Sequence, residues 1–163
     1  MDTVTTEPKG IGGWLVLPTL GLLISPLRFG FQFYSSMLPV LVPSAWNALT
    51  NSSSPAYHPL WGPLIVFEVV SSLALFIFTL RLLWLFFKKS NRVPELFVMW
   101  FVLSVALQVV DILFAAQIPA VAVQQTDFES VKDLISSLFA AAIWIPYFKR
   151  SKRVKNTFIE STS

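Results

Sequence analysis

Of 163 residues, 55% are hydrophobic and 13% are charged, where a soluble domain carries about 25% charged residues. The chain therefore reads as an all-α integral membrane protein. With no cysteine and one histidine, His58, it excludes a disulfide scaffold, a thiolate centre and a cysteine nucleophile, and leaves no ligand set for zinc.

A spanning helix needs about 20 apolar residues to cross a hydrocarbon core of about 30 Å. Four segments qualify, at about 11–27, 60–87, 95–116 and 131–148. The first opens on Gly10-Ile11-Gly12-Gly13-Trp14 and closes at Arg28. A cleaved signal peptide does not fit it: Asp2 and Glu7 replace the basic start, and no small-x-small site follows. Pro18 should bend this helix. The next connection, 28–59, is too apolar for a free loop, yet Pro39 and Pro43 interrupt it. It is expected to lie in the outer interface between helices one and two. Asn51-Ser52-Ser53-Ser54-Pro55 reads as a turn, and its sequon carries no weight alone.

Lys88-Lys89 stops the second helix, Gln117, Pro119 and Gln124-Gln125 the third, and the fourth runs into Lys149-Arg150. Short cytoplasmic segments retain lysine and arginine. Residues 1–10, 88–95 and 149–163 sum to +5, against −1 for the two opposite connections. The expected topology is a single four-helix bundle, N-in and C-in, followed by a basic cytoplasmic tail at 149–163.

Three ionisable residues fall at membrane depth, where each costs about 2.5–3.5 kcal/mol on insertion scales: Glu68, Arg81 and Asp111. Helical spacing puts Glu68, Ser71, Ser72, Leu75 and Thr79 on one stripe of helix two, and Ser104, Gln108, Asp111 and Ala115 on one of helix three. Both carboxyls are expected in a polar seam facing protein, with Glu68, Ser72, Gln108 and Asp111 as its core. Arg81 falls on the opposite face of helix two. Gly21-xxx-Ser25, Ser136-xxx-Ala140 and Ser137-xxx-Ala141 are expected to bring helices close together.

Lys149, Arg150, Lys152, Arg153 and Lys155 place five cations in seven residues. Such a cluster favours an anionic leaflet. A nucleic-acid role would need a reader domain or stacking aromatics, for which there is no room. His58 has no second ligand and reads as a solvent-exposed bystander.

Gly10-Ile11-Gly12-Gly13-Trp14-Leu15 and Ile143-Trp144-Ile145-Pro146-Tyr147-Phe148, followed by Ser151 to Phe158, resemble the two ends of a family of small bacterial inner-membrane proteins of unknown function. Phe67-Glu68 and Leu85 to Lys89 with Pro94 look like its middle portion. The resemblance implies four helices in a bacterial inner membrane and supplies no activity, cofactor or catalytic residue. The Gly-rich head is expected to pack against the Trp144–Phe148 turn. Together with Trp14, Trp144, Tyr147 and the basic residues, it would form a platform for anionic lipid or a partner protein, a second copy of the chain included. No nucleophile constellation, paired-histidine motif or phosphate loop is present. The leading expectation is an interaction, assembly or accessory protein without catalysis, metal or cofactor. The alternative is a small proton- or solute-coupled transporter using Glu68 and Asp111.

Overall fold

The computed structural model describes residues 9–124 and 129–159. Asp2, Glu7 and Gln125 fall outside them. Every described element is helical, and four stretches are long and apolar enough to span a membrane: Gly13–Leu41, Trp61–Phe87, Val93–Ala115 and Val131–Arg150. The first comprises a 3₁₀ turn at Gly13–Leu15, α1 (Val16–Gln32), a π turn at Phe33–Met37 and α2 (Leu38–Leu41). After it come α3 (Pro43–Thr50), α4 (Trp61–Phe87), α5 (Val93–Ala115), α6 (Pro119–Gln124), α7 (Glu129–Arg150) and α8 (Lys152–Thr157).

The largest departure from the sequence reading is the first helix, expected to end at Arg28. It continues as helix to Leu41, so 28–59 is not a loop from its start. Ser25, Arg28, Gln32 and Ser36, spaced at three and four residues, form one polar stripe along this helix, with Arg28, Gln32 and Ser36 exposed. The wider π turn precedes Pro39, whose missing N–H would leave the Ser35 carbonyl without an α-helical donor. Val42 then takes an extended conformation ahead of Pro43, which ends the run. Pro18 stands in the first turn of α1, where little helical bonding is lost, and Pro26 is the proline inside the helix.

α4 packs on both α1 and α5, and α5 packs on α7. The core lies at the end of the bundle where Gly10–Leu15 meets α8. There Leu15 and Leu22 of the first span, Leu82 and Phe86 of α4, Val93 and Phe97 of α5, Phe148 of α7, and Val154 and Phe158 form one buried cluster. Phe97 and Phe148 stack with ring centroids 3.8 Å apart. The α4–α5 turn closes in a Schellman arrangement, with Ser90 N–H bonded to the Leu85 carbonyl and Lys89 N–H to that of Phe86. Lys89 sits at φ 51°, the left-handed conformation that this motif demands.

Residues 149–159 do not form a free basic tail. Lys149 and Arg150 complete the last turn of α7, and α8 begins with Ser151 accepting the Val154 N–H. Val154, Thr157 and Phe158 are buried. The head reaches this helix directly: Gly10 N–H donates to the Thr157 hydroxyl at 3.0 Å. Arg153 lies across Gly12 and Gly13; a Cβ at Gly12 would come within 3.0 Å of its Nη1, and Gly13 has φ +55°. The Gly-rich head therefore meets α8, and its Leu15 shares one buried cluster with Phe148. Trp144 and Tyr147 join through the shared apolar cluster, packed edge to face 5.7 Å apart.

Gly21 is not a helix-packing glycine, because nothing lies within 4 Å of where its Cβ would be. Small size at that position serves no close approach among the described residues. His58 is half-buried, and its Nδ1 accepts the Leu60 N–H.

Candidate functional site: a polar cavity at membrane depth

At the end opposite α8 the four spanning helices enclose a partly open cavity of about 470 Å³. Helix α4 contributes Glu68, Ser71, Ser72 and Leu75; α5 contributes Trp100, Ser104, Gln108 and Asp111. These are members of the two stripes read from helical spacing, extended by one turn to Trp100; Thr79 and Ala115, also expected on them, do not line the cavity, and Ala115 packs with Leu64 and Ile118. The first span adds Ser25, Arg28, Gln32 and Ser36, and α7 adds Asp133 and Ser137. The contribution of the first span is not expected from a helix ending at Arg28, although the three-and-four spacing of Ser25, Arg28, Gln32 and Ser36 carries its signal.

The charged groups share one level. At about 1.5 Å rise per residue, Arg28 stands about 22 Å above Gly13, Glu68 about 28 Å from Phe87, Asp111 about 27 Å from Val93 and Asp133 about 26 Å from Arg150. Glu68 and Asp111 line the same cavity from the neighbouring helices α4 and α5. Asp111 Oδ1 is enclosed and has no hydrogen-bond partner among the described residues. Arg28 and Asp133 approach to 4.0 Å across the cavity mouth, both largely exposed at 75% and 59%. A pair so exposed contributes little stability. Three carboxyls thus face one guanidinium in a space bounded by spanning helices.

The floor is closed. Trp100 donates its indole N–H to the buried Thr79 hydroxyl at 2.8 Å, and Thr79 in turn donates to the Leu75 carbonyl at 2.7 Å. Below this link the aromatic and leucine cluster fills the bundle. A second, apolar groove of about 320 Å³ runs between α1 and α4, walled by Phe29, Gly30, Phe33, Val69, Leu73 and Phe76. Phe29 and Ser72 line both spaces.

The remaining sequence-selected residues lie elsewhere. Arg81 is exposed on α4, away from the cavity. At the basic end Lys149, Arg150, Lys152 and Lys155 are exposed, whereas Arg153 is half-buried on the glycines. Trp14 is 69% exposed, and Lys88 sits 4.1 Å over the Trp84 ring as a cation–π pair.

Residues 8–159 match the model of a family described as "Protein of unknown function (DUF2569)", and the chain belongs to that family. It is 35% identical over 155 residues to the inner membrane protein YdgK of Escherichia coli strain K12, covering 95% of this chain and 97% of that protein. No solved structure matches the chain. With four helices able to span a bilayer, the chain is a multi-pass protein of the bacterial inner membrane.

Proposed function

We propose that this member of the family is a non-catalytic interaction protein of the inner membrane, and that its cavity is a blind vestibule that receives an ammonium group. The observation that carries the reading is the enclosed, unpartnered Asp111 Oδ1 beside Glu68. A polar atom kept from water costs free energy until something bonds it, and two adjacent carboxyls suit a donor carrying positive charge. A proton- or solute-coupled transporter would draw on the same carboxyls, but it needs a route past the Trp100–Thr79 link and the packed cluster below.

The charge pattern supports an N-in, C-in orientation, with Lys88, Lys89, Arg92 and the cations of 149–155 in the cytoplasm. The vestibule then opens on the periplasmic side. The exposed Lys149, Arg150, Lys152 and Lys155 contact anionic headgroups, with Trp14, Trp144 and Tyr147 as interfacial neighbours. Arg153 is held to the head as part of the fold. Partner protein or second copy, if bound, would meet this same platform.

Thermal unfolding of the purified protein against increasing ethylammonium tests the vestibule. The wild type is expected to be stabilised and Asp111→Asn not, with potassium acetate as the control. An equal response of both proteins, or none, overturns the reading.

A further inference from the structure

The polar vestibule and the apolar groove meet at Phe29 and Ser72, which line both. A small soluble amine would use only the first space. An amphiphile would fill both at once, with its charged head among the carboxyls and its chain against the phenylalanines.

Depth fits the same division. The charged groups lie about 22–28 Å from the basic end, near the far edge of a hydrocarbon core about 30 Å thick. From that level the α4 wall of the groove, Val69 to Phe76, descends toward mid-bilayer. The groove has only apolar walls apart from Ser72. Space below a charged site at this depth is available to lipid chains and not to water.

Charge placement narrows the head. Glu68 and Asp111 are half-buried between α4 and α5, and Arg28 borders the cavity with an exposed guanidinium whose partner, Asp133, is 4.0 Å away and exposed too. An ammonium inside and an anion near Arg28 would satisfy both, and would relieve the unpartnered Asp111 Oδ1. Arginine pairs with phosphate through two parallel N–H donors, and the weak exposed bridge to Asp133 gives way readily.

We infer that the vestibule and groove together form a site for a phospholipid with a primary-ammonium headgroup, its ammonium on Glu68 and Asp111, its phosphate at Arg28 and one acyl chain along Phe29, Leu73 and Phe76. This rests on the vestibule reading above and names its ligand class. The primary ammonium supplies up to three N–H donors, which a quaternary ammonium lacks.

The test uses the full chain in nanodiscs and in mild detergent. Retention of phosphatidylethanolamine is compared with that of phosphatidylcholine and phosphatidylglycerol by native mass spectrometry, beside ethylammonium and phosphoethanolamine binding. Two variants fill the groove: Gly30→Trp, where the Cβ position has nothing within 4 Å, and Leu73→Trp, whose native side chain is already exposed. Each is expected to weaken phosphatidylethanolamine retention about tenfold or more while leaving ethylammonium binding unchanged. Asp111→Asn should abolish preference for the primary amine in both assays. Ethylammonium binding with unaltered lipid retention in both tryptophan variants overturns the lipid site and leaves the vestibule standing. Phosphoethanolamine binding as tightly as the intact lipid assigns the site to a soluble amine and also overturns it. Failure of wild type to bind any of these amines overturns both.

Discussion

Trp100 and Thr79, twenty-one positions apart, join α5 to α4 through a 2.8 Å hydrogen bond from indole to hydroxyl. The bond divides the molecule. On one side lies the polar cavity and on the other the packed cluster that holds Leu15, Val154 and Phe158. Thr79 is fully buried and already donates to Leu75, so the indole N–H meets an oxygen with a lone pair to spare.

Removing either partner should loosen this floor unequally. Trp100→Phe deletes the donor and leaves Thr79 bonded to Leu75. Thr79→Val strands the indole N–H and is the costlier change, since an unpaired buried donor retains its desolvation penalty. Interhelical hydrogen bonds in membranes are worth about 0.6 kcal/mol on average and up to about 1.7. Thermal unfolding in detergent should place both variants within that range. A double variant no worse than Thr79→Val alone would show that the two act through one bond.

The head and α8 should be separable by their glycines. Alanine at Gly12 brings a Cβ to 3.0 Å of the Arg153 guanidinium, the movable end of a long side chain. Alanine at Gly13 is held at φ +55°, in the left-handed region where a Cβ costs about 1–2 kcal/mol. Gly13→Ala should therefore destabilise the protein more than Gly12→Ala. Thr157→Val, which removes the acceptor of the Gly10 N–H, should cost about 1–2 kcal/mol. Limited proteolysis of the N-terminal segment reads out each change, with Thr157→Val expected to release the head.

Lys89 offers a change in the opposite sense. It occupies the left-handed position of the Schellman turn with φ 51°, a site that glycine fills without strain. Lys89→Gly should raise stability by up to about 1 kcal/mol, the relief of strain exceeding the entropy that glycine loses on folding. Unfolding temperature in detergent measures this. Lys88 and Arg92 remain to fix orientation, so membrane topology should not change.

Much of this architecture was legible because lipid leaves few choices. A run of about 20 apolar residues must be a helix, since its backbone can bond only to itself, and charges mark where each helix leaves the bilayer. The stripes of Glu68 and Asp111 were legible for a related reason: polar groups at that depth must face protein, so periodicity alone assigned their side. Arg28 is the exception. There a single charge suggests a helix end, whereas the helix continues to Leu41 and the spacing from Ser25 to Ser36 makes Arg28 part of a third stripe. The docking of α8 was hidden by charge: Lys152, Arg153 and Lys155 outweigh Val154, Thr157 and Phe158 in any average, yet one face of a six-residue helix is apolar enough to bury. The apposition of Gly10 and Thr157, 147 positions apart, had no local signal at all.

Access to the vestibule can be mapped directly, because the chain contains no cysteine to interfere. Ser72→Cys and Ser104→Cys replace a hydroxyl on the cavity wall with a thiol of similar size, whereas Leu82→Cys lies below the floor at 0% exposure. A membrane-impermeant maleimide applied to intact spheroplasts should label the first two and spare the third, since reaction requires the thiolate and therefore water. Labelling at Ser104→Cys should rise when Arg28→Ala opens the mouth. In the Trp100→Phe background, Leu82→Cys should remain protected if the aromatic cluster alone seals the bundle, and should become reactive if the Trp100–Thr79 bond is the barrier. Labelling of Ser72→Cys and Ser104→Cys only from the cytoplasmic side would reverse the orientation argued from the basic residues, and failure to label them from either side would show that the cavity is closed to water.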